Sequence, residues 1–156
     1  MRIGEDIRPA AGAVVTASRA LLGIIARSML PALEEVSLPQ FRVLVLLSSA
    51  GPQRMGTLAE RLGVSVSTFS RTADRLVGGG WAAREDNPEN RREVILALTE
   101  KGRGLVASVT DQRRDLIVDV LLRMPPSERE RLAESLQAFA EAAGEPAVAD
   151  LLILGL

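Results

Sequence analysis

Along Ser65 to Val77 (SVSTFSRTADRLV) the apolar residues fall at Phe69, Ala73, Leu76 and Val77, a helical spacing that gives one stripe to bury. The other face keeps Ser67, Thr68, Ser70, Arg71, Asp74 and Arg75. It mixes short hydroxyls, which approach a phosphate closely, with two arginines one turn apart. Ser65 stands where a helix is capped, and the first amides of such a helix can also hold a phosphate. Just upstream, Leu58, Ala59 and Leu62 make a short apolar helix face, and Thr57-Leu-Ala-Glu60 reads as a capping box opening it. Gly63 then supplies a tight turn. This pattern predicts a helix-turn-helix whose second helix, Ser65 to Val77, is written to lie in a DNA groove.

The flanking pattern extends the plan. Arg8 to Leu30 reads as a long helix apolar on more than one side (Val14, Leu21, Ile24, Ile25, Met29), which therefore needs cover on several faces. Pro31 and Glu34-Glu35 are expected to break it into a solvated turn. Ser37-Leu-Pro-Gln40 is a capping box for a second helix through FRVLVLLSSAG, stopped at Gly51-Pro52. Gln53 to Gly56 is a connector with room for a small strand. After Gly78-Gly79-Gly80, the runs Trp81 to Asp86 and Glu93 to Leu98 flank Asn87 to Arg92, and Val94, Leu96 and Leu98 alternate as in a half-buried strand. We expect a β-hairpin with a basic tip, and Trp81 as a core residue. Thr99 opens a fifth helix through Leu105, Val106, Val109, Leu116, Ile117, Val120 and Leu121. Pro125-Pro126 ends it and restarts a sixth, striped by Leu132, Leu136, Phe139, Ala140 and Ala143 and stopped at Gly144 and Pro146. The tail Ala147 to Leu156 is apolar where a chain end is usually polar, so it is expected to pack on a partner subunit.

Composition narrows the chemistry. The 156 residues fit one domain, and the net charge of −1 requires any DNA footprint to be local. Residues 53 to 104 hold nine Arg or Lys against seven Asp or Glu, whereas residues 105 to 156 hold five against nine, so the basic end carries the helix-turn-helix. Cysteine, histidine and tyrosine are absent. That removes disulfides, thiol redox sensing, Cys/His zinc sites and histidine acid–base catalysis, and we expect a protein that is not an enzyme and needs no cofactor. A hydrolase or ligand carrier would have to work with carboxylates and the lone Lys101. Between residues 10 and 30 the chain is apolar, but Glu5 and Asp6 precede that run and Arg19 and Arg27 interrupt it, against both a signal peptide and a membrane span. The expected location is cytoplasmic, without membrane contact.

Helix, helix, connector, helix-turn-helix, hairpin, long helix, helix is the order of a winged helix carried between terminal helices. In LPQFRVLVLLSSAG, TLAERLGVSVSTFSRTADRLVGGGW and RREVILALTEKG the chain resembles the MarR family of bacterial transcription regulators over nearly its whole length. The family's wing has Asp-x-Arg with a Leu four residues beyond the Arg. In this chain Asn90, Arg91, Arg92 and Leu96 occupy those places, so the usual Asp is Asn, without the charge-assisted grip of a carboxylate on Arg92.

The resemblance implies a mainly α fold with a small β-hairpin wing. It also implies a single domain over residues 1–156: dimerisation helices and tail at 8–36 and 122–156, the winged helix-turn-helix at 37–104 and a linking helix at 99–122. Ser65, Ser67, Thr68, Ser70, Arg71 and Arg75 would contact the major groove or its phosphates, with Asn90, Arg91 and Arg92 at the neighbouring minor groove. Asp74 would orient Arg71 or Arg75. The implied partners are a second copy of the chain, a pseudo-palindromic double-stranded operator, and a small aromatic or anionic effector that relieves repression. Arg19, Arg27 and Arg42 are the conspicuous charges for that effector, or partners for the acidic sixth helix. The competing reading is a winged-helix protein-interaction module without DNA binding, in which Arg71, Arg75, Arg91 and Arg92 are ordinary solvated charge.

Overall fold

The computed structural model describes residues 7–144; the apolar tail Ala147 to Leu156 lies outside them. Six helices and three strands follow in the order α1 (Ile7–Glu35), α2 (Leu38–Ala50), β1 (Gln53–Arg54), α3 (Met55–Arg61), α4 (Val66–Gly78), β2 (Ala82–Asn87), β3 (Asn90–Leu98), α5 (Glu100–Leu121) and α6 (Pro126–Ala143). The strands form one antiparallel sheet in the order β1-β3-β2. The expected winged helix-turn-helix between terminal helices is the fold observed.

Burial explains its centre. Phe41, Val43, Leu44, Leu46 and Leu47 of α2, Leu58 and Ala59 of α3, Phe69, Ala73 and Leu76 of α4, and Leu96 of β3 form one buried cluster. The stripe expected on α4 is therefore what seats it. Gly63, at φ +66, and Gly80, at φ +74, take the left-handed backbone that turns the chain before and after α4. Trp81 joins the core, donates its backbone N–H to the Leu76 carbonyl (2.9 Å) and carries the Lys101 ammonium 3.9 Å above its ring.

Several boundaries differ from expectation. Pro31 does not break α1, which runs on through Glu34 and Glu35. Pro31 is exposed, so water can satisfy the carbonyl that its missing N–H leaves free, and Ala32 and Val36 beyond it are buried in the core. The Thr57 capping box is also absent: α3 starts at Met55, because Gln53 and Arg54 pair with Leu96 and Ile95 and the chain enters the helix straight from that strand. At the wing, the connecting turn is Pro88-Glu89 alone, and Asn90 to Arg92 lie in β3. Buried Asn87 causes this, accepting the Glu89 N–H (3.0 Å) beside a register shift at Asp86/Asn87. Arg91 and Arg92 therefore follow the turn at the start of β3 and are not part of it. Val94, expected to alternate inward with Leu96, is exposed near the free end of the wing.

The terminal helices are incompletely covered. On α1 only Ile24, Ser28 and Ala32 are buried, while Val14, Val15, Leu21 and Leu22 face solvent. The Ser28 hydroxyl accepts a hydrogen bond from Arg113 Nε of α5 (3.3 Å) and so pins the buried part of α1. By length and composition α1 would suffice to cross a membrane, although Arg19 and Arg27 interrupt its apolar run and were expected to weigh against a span. No residue of α6 is buried. Arg129 Nε, bonded to the carbonyls of Leu121 (2.7 Å) and Met124 (3.0 Å), fixes the corner between α5 and α6. The expected salt bridges from Arg19, Arg27 and Arg42 to α6 do not form among the described residues, because α6 stands clear of the core; its Glu128 pairs with Arg131 one turn on.

Gly102 marks the tightest approach. A Cβ there would lie 2.1 Å from the Trp81 carbonyl oxygen. Gly102→Ala is therefore expected to lower the unfolding free energy by about 1–3 kcal/mol, the usual range for overpacking, read as a fall in the urea midpoint. An unchanged midpoint would show that the α5 start does not hold the wing root.

Candidate DNA interface

The N-terminus of α4 is built from three hydroxyls. Ser65 caps the helix, its Oγ accepting the Thr68 N–H at 3.2 Å, and the same Oγ lies 2.9 Å from Thr68 Oγ1 and 3.0 Å from Ser67 Oγ. Ser65, Ser67 and Thr68 are all exposed, so they form one polar end on a helix whose dipole favours an anion. Arg71 and Arg75 are exposed one turn apart on the same helix. Ser70 is half-buried, less available than the sequence pattern implied. Val66, which the stripe argument passed over, is 57% exposed at the first helical position.

Asp74 differs from expectation. It orients neither Arg71 nor Arg75: its carboxylate pairs with Arg84 of β2, linking the recognition helix to the wing. The pairing leaves both α4 arginines to solvent, and no local signal announced it, since the partners lie on separate elements.

The wing brings Arg92 close to Asn90, but not as a side-chain pair. Asn90 Oδ1 accepts the backbone N–H of Arg92 at 3.2 Å, so it holds the strand and leaves the exposed guanidinium unclaimed by Asn90. Arg91 lies beside it in β3. On β2 and the turn Glu85, Asp86 and Glu89 are exposed, and the arginine there, Arg84, is paired with Asp74. Sequence reasoning also passed over Arg54, which reaches from the α3 start to Glu93 at 3.1 Å.

A seated helix with a polar face, capped by hydroxyls and followed by a hairpin carrying exposed arginine, defines a winged helix-turn-helix. Comparison with known proteins places it further. Residues 36–94 match the model of the MarR family. A solved structure, RV1404 from Mycobacterium tuberculosis, is 43% identical with a TM-score of 0.77, over 93% of this chain and 98% of that one. The HTH-type transcriptional regulator YfiV of Bacillus subtilis, itself uncharacterised, is 29% identical over 108 residues, 69% of this chain and 68% of YfiV. A mutant MarR from E. coli, solved in complex with operator DNA, shares the fold at 22% identity and a TM-score of 0.53, over 89% of this chain and 99% of that one. The chain belongs to the MarR family. It is a DNA-binding transcriptional regulator and not an enzyme.

The cap is the local determinant of the recognition helix. Ser65→Ala is expected to cost about 1 kcal/mol of stability, as removal of an N-cap hydroxyl does, measured by urea unfolding followed by circular dichroism. A midpoint equal to wild type would mean that tertiary packing alone sets the start of α4.

Proposed function

We propose that this chain works as a dimeric repressor that binds a pseudo-palindromic operator through α4 and the wing and is released by a small aromatic or anionic effector. The observation that carries the reading is the exposure of Arg71, Arg75 and Arg92 on two elements joined by the Asp74–Arg84 pair. Ser65, Ser67, Thr68 and Arg71 serve base edges or phosphates in the major groove, Val66 offers an apolar contact of the kind that thymine methyls accept, and Arg75 takes the backbone. Half-buried Ser70 contributes from the side of the helix. Asn90, Arg91 and Arg92 serve the minor groove, where charge senses width more than sequence. The operator complex of the E. coli relative supports this use of the shared fold.

Dimerisation is supported by the apolar surface that one chain leaves bare: Leu22 on α1 and Leu136 and Phe139 on α6 are 57%, 48% and 54% exposed. In this division of labour residues 8–36 and 122–156 pair the subunits, residues 37–104 bind DNA, and residues 99–122 link the two. Two recognition helices would then fall about 10 bp apart on one side of the duplex. A dimerising α1 accounts for its apolarity without a membrane, in keeping with a cytoplasmic regulator. The effector is supported by Arg42, whose Nε is buried with no hydrogen-bond partner among the described residues and suits an anion. To relieve repression, the effector must bind the released spacing of the recognition helices more tightly than the operator-bound one.

A mobility-shift titration tests the reading, using a duplex enriched by the wild-type protein from a random-sequence library. Arg71→Ala and Arg92→Ala are each expected to lower affinity about tenfold, and the slope of log K against log salt is expected to fall by about one for each phosphate no longer neutralised. Benzoate, as the simplest aromatic anion, is expected to weaken wild-type binding and to leave Arg42→Ala unaffected. Failure of the wild-type protein to enrich any duplex would instead favour the protein-interaction module, and full affinity in both arginine variants would remove α4 and the wing as the DNA-binding surface.

The dimer has its own check. Phe139→Glu is expected to turn a dimer in sedimentation velocity into a monomer without loss of helical circular dichroism. An unchanged dimer would remove α6 from the interface.

A further inference from the structure

The wing and the helix-turn-helix touch differently at their two ends. At the wing root the packing is apolar and closed, through Trp81, Leu96 and Ala82. Towards the tip it is open: a cleft of about 400 Å³ lies between Pro52 and Thr57 on one side and Pro88 and Ile95 on the other. Backbone pairing between β1 and β3 stops at Arg54↔Ile95. Beyond that pair, only side chains can hold the wing against α3.

Arg54 does so. Its Nε lies 3.1 Å from Glu93 Oε2, two residues nearer the tip than its backbone partner, and its Nη2 lies 3.9 Å from Glu89 Oε2. The same Glu93 oxygen accepts a hydrogen bond from Asn87 Nδ2 at 2.9 Å, and Asn87, only 3% exposed, holds the Glu89 N–H through its other side-chain atom. A basic residue beside the helix-turn-helix is thus tied into the base of the wing turn. Successive residues of a strand point to opposite faces, so this grip on Glu93 leaves Arg92 on the other side of β3.

We infer that Arg54, Glu93 and Asn87 form a strut that fixes the outer half of the wing, and that Arg54 is a positioning residue for Arg92 instead of a contact to DNA. An exposed ion pair adds little to global stability, and its effect falls on the angle of the part it joins. The inference rests on the proposed role of Arg92 at the minor groove.

A double-mutant cycle tests it on the enriched duplex described above. Arg54→Ala is expected to lower affinity about fivefold, Arg92→Ala about tenfold, and the double variant no further than Arg92→Ala, because a strut has no effect once the side chain it positions is gone. Losses that multiply would show that Arg54 touches DNA on its own account and would overturn the inference, as would full affinity in Arg54→Ala. Full affinity in Arg92→Ala would overturn the wing reading itself, and the strut with it. A second pair guards against a folding defect: Arg54→Glu is expected to bind weakly, whereas Arg54→Lys, which keeps a cation for Glu93 and leaves the hydrogen bond from Asn87 in place, is expected to recover affinity to within about twofold. No recovery in a variant with wild-type helical content would contradict the strut.

Discussion

Everything this protein offers to DNA depends on the clamp that buries Phe69, Ala73 and Leu76 of α4 against α2, α3 and Leu96 of β3. Because that stripe is apolar and seated, the opposite face must be polar and exposed, and its orientation is fixed by core packing, not by the polar residues themselves. The hydroxyl cap at Ser65 sets where the helix begins, and the turn at Gly80 sets where the chain leaves it. Packing of this kind is stiff, since a change of one methylene group in such a core is felt.

The wing is held by a different mixture of forces. Its root is close-packed around Trp81, with Gly102 lacking the one atom that would collide with the Trp81 carbonyl. Two ionic links add to this, Asp74–Arg84 from the recognition helix near the root and Arg54–Glu93 from the start of α3 in the outer half. Such links are weak in stability yet directional, which suits an element that must be aimed but has little apolar surface to pack. With Arg84 paired to Asp74, the carboxylates of β2 and the turn leave Arg92 and the α4 arginines as exposed positive features of this surface, as a chain of net charge −1 requires if it is to act on a polyanion.

Much of this was legible in the residue pattern, and the exceptions are informative. Helical spacing located α4, α5 and α6, Ser37 and Thr99 announced the caps of α2 and α5, and the alternation around Leu96 located β3. Pro31 misled because an exposed position lets a helix tolerate a missing N–H when the turns beyond it are buried. Thr57 misled because strand pairing at Gln53 and Arg54 decided the helix start before the capping box could act. The wing turn was shorter than its polar composition suggested, since one buried side chain, Asn87, closes it. At the candidate site, the exposure of Ser67, Thr68, Arg71 and Arg75 on α4 followed from periodicity, whereas half-buried Ser70 and exposed Val66 did not. The Asp74–Arg84 and Arg54–Glu93 links did not, because a sequence pattern reports which face a charge occupies and not which distant charge will meet it.

The central claim is that α4 and the wing engage one duplex together, in two copies related by symmetry. Hydroxyl-radical footprinting of the full-length protein on its enriched duplex tests this most directly. The account predicts two protected patches about 10 bp apart on one side of the helix, each with protection extending into an adjoining A·T-rich minor groove that disappears in Arg92→Ala. A single patch, or minor-groove protection that persists without Arg92, would contradict it.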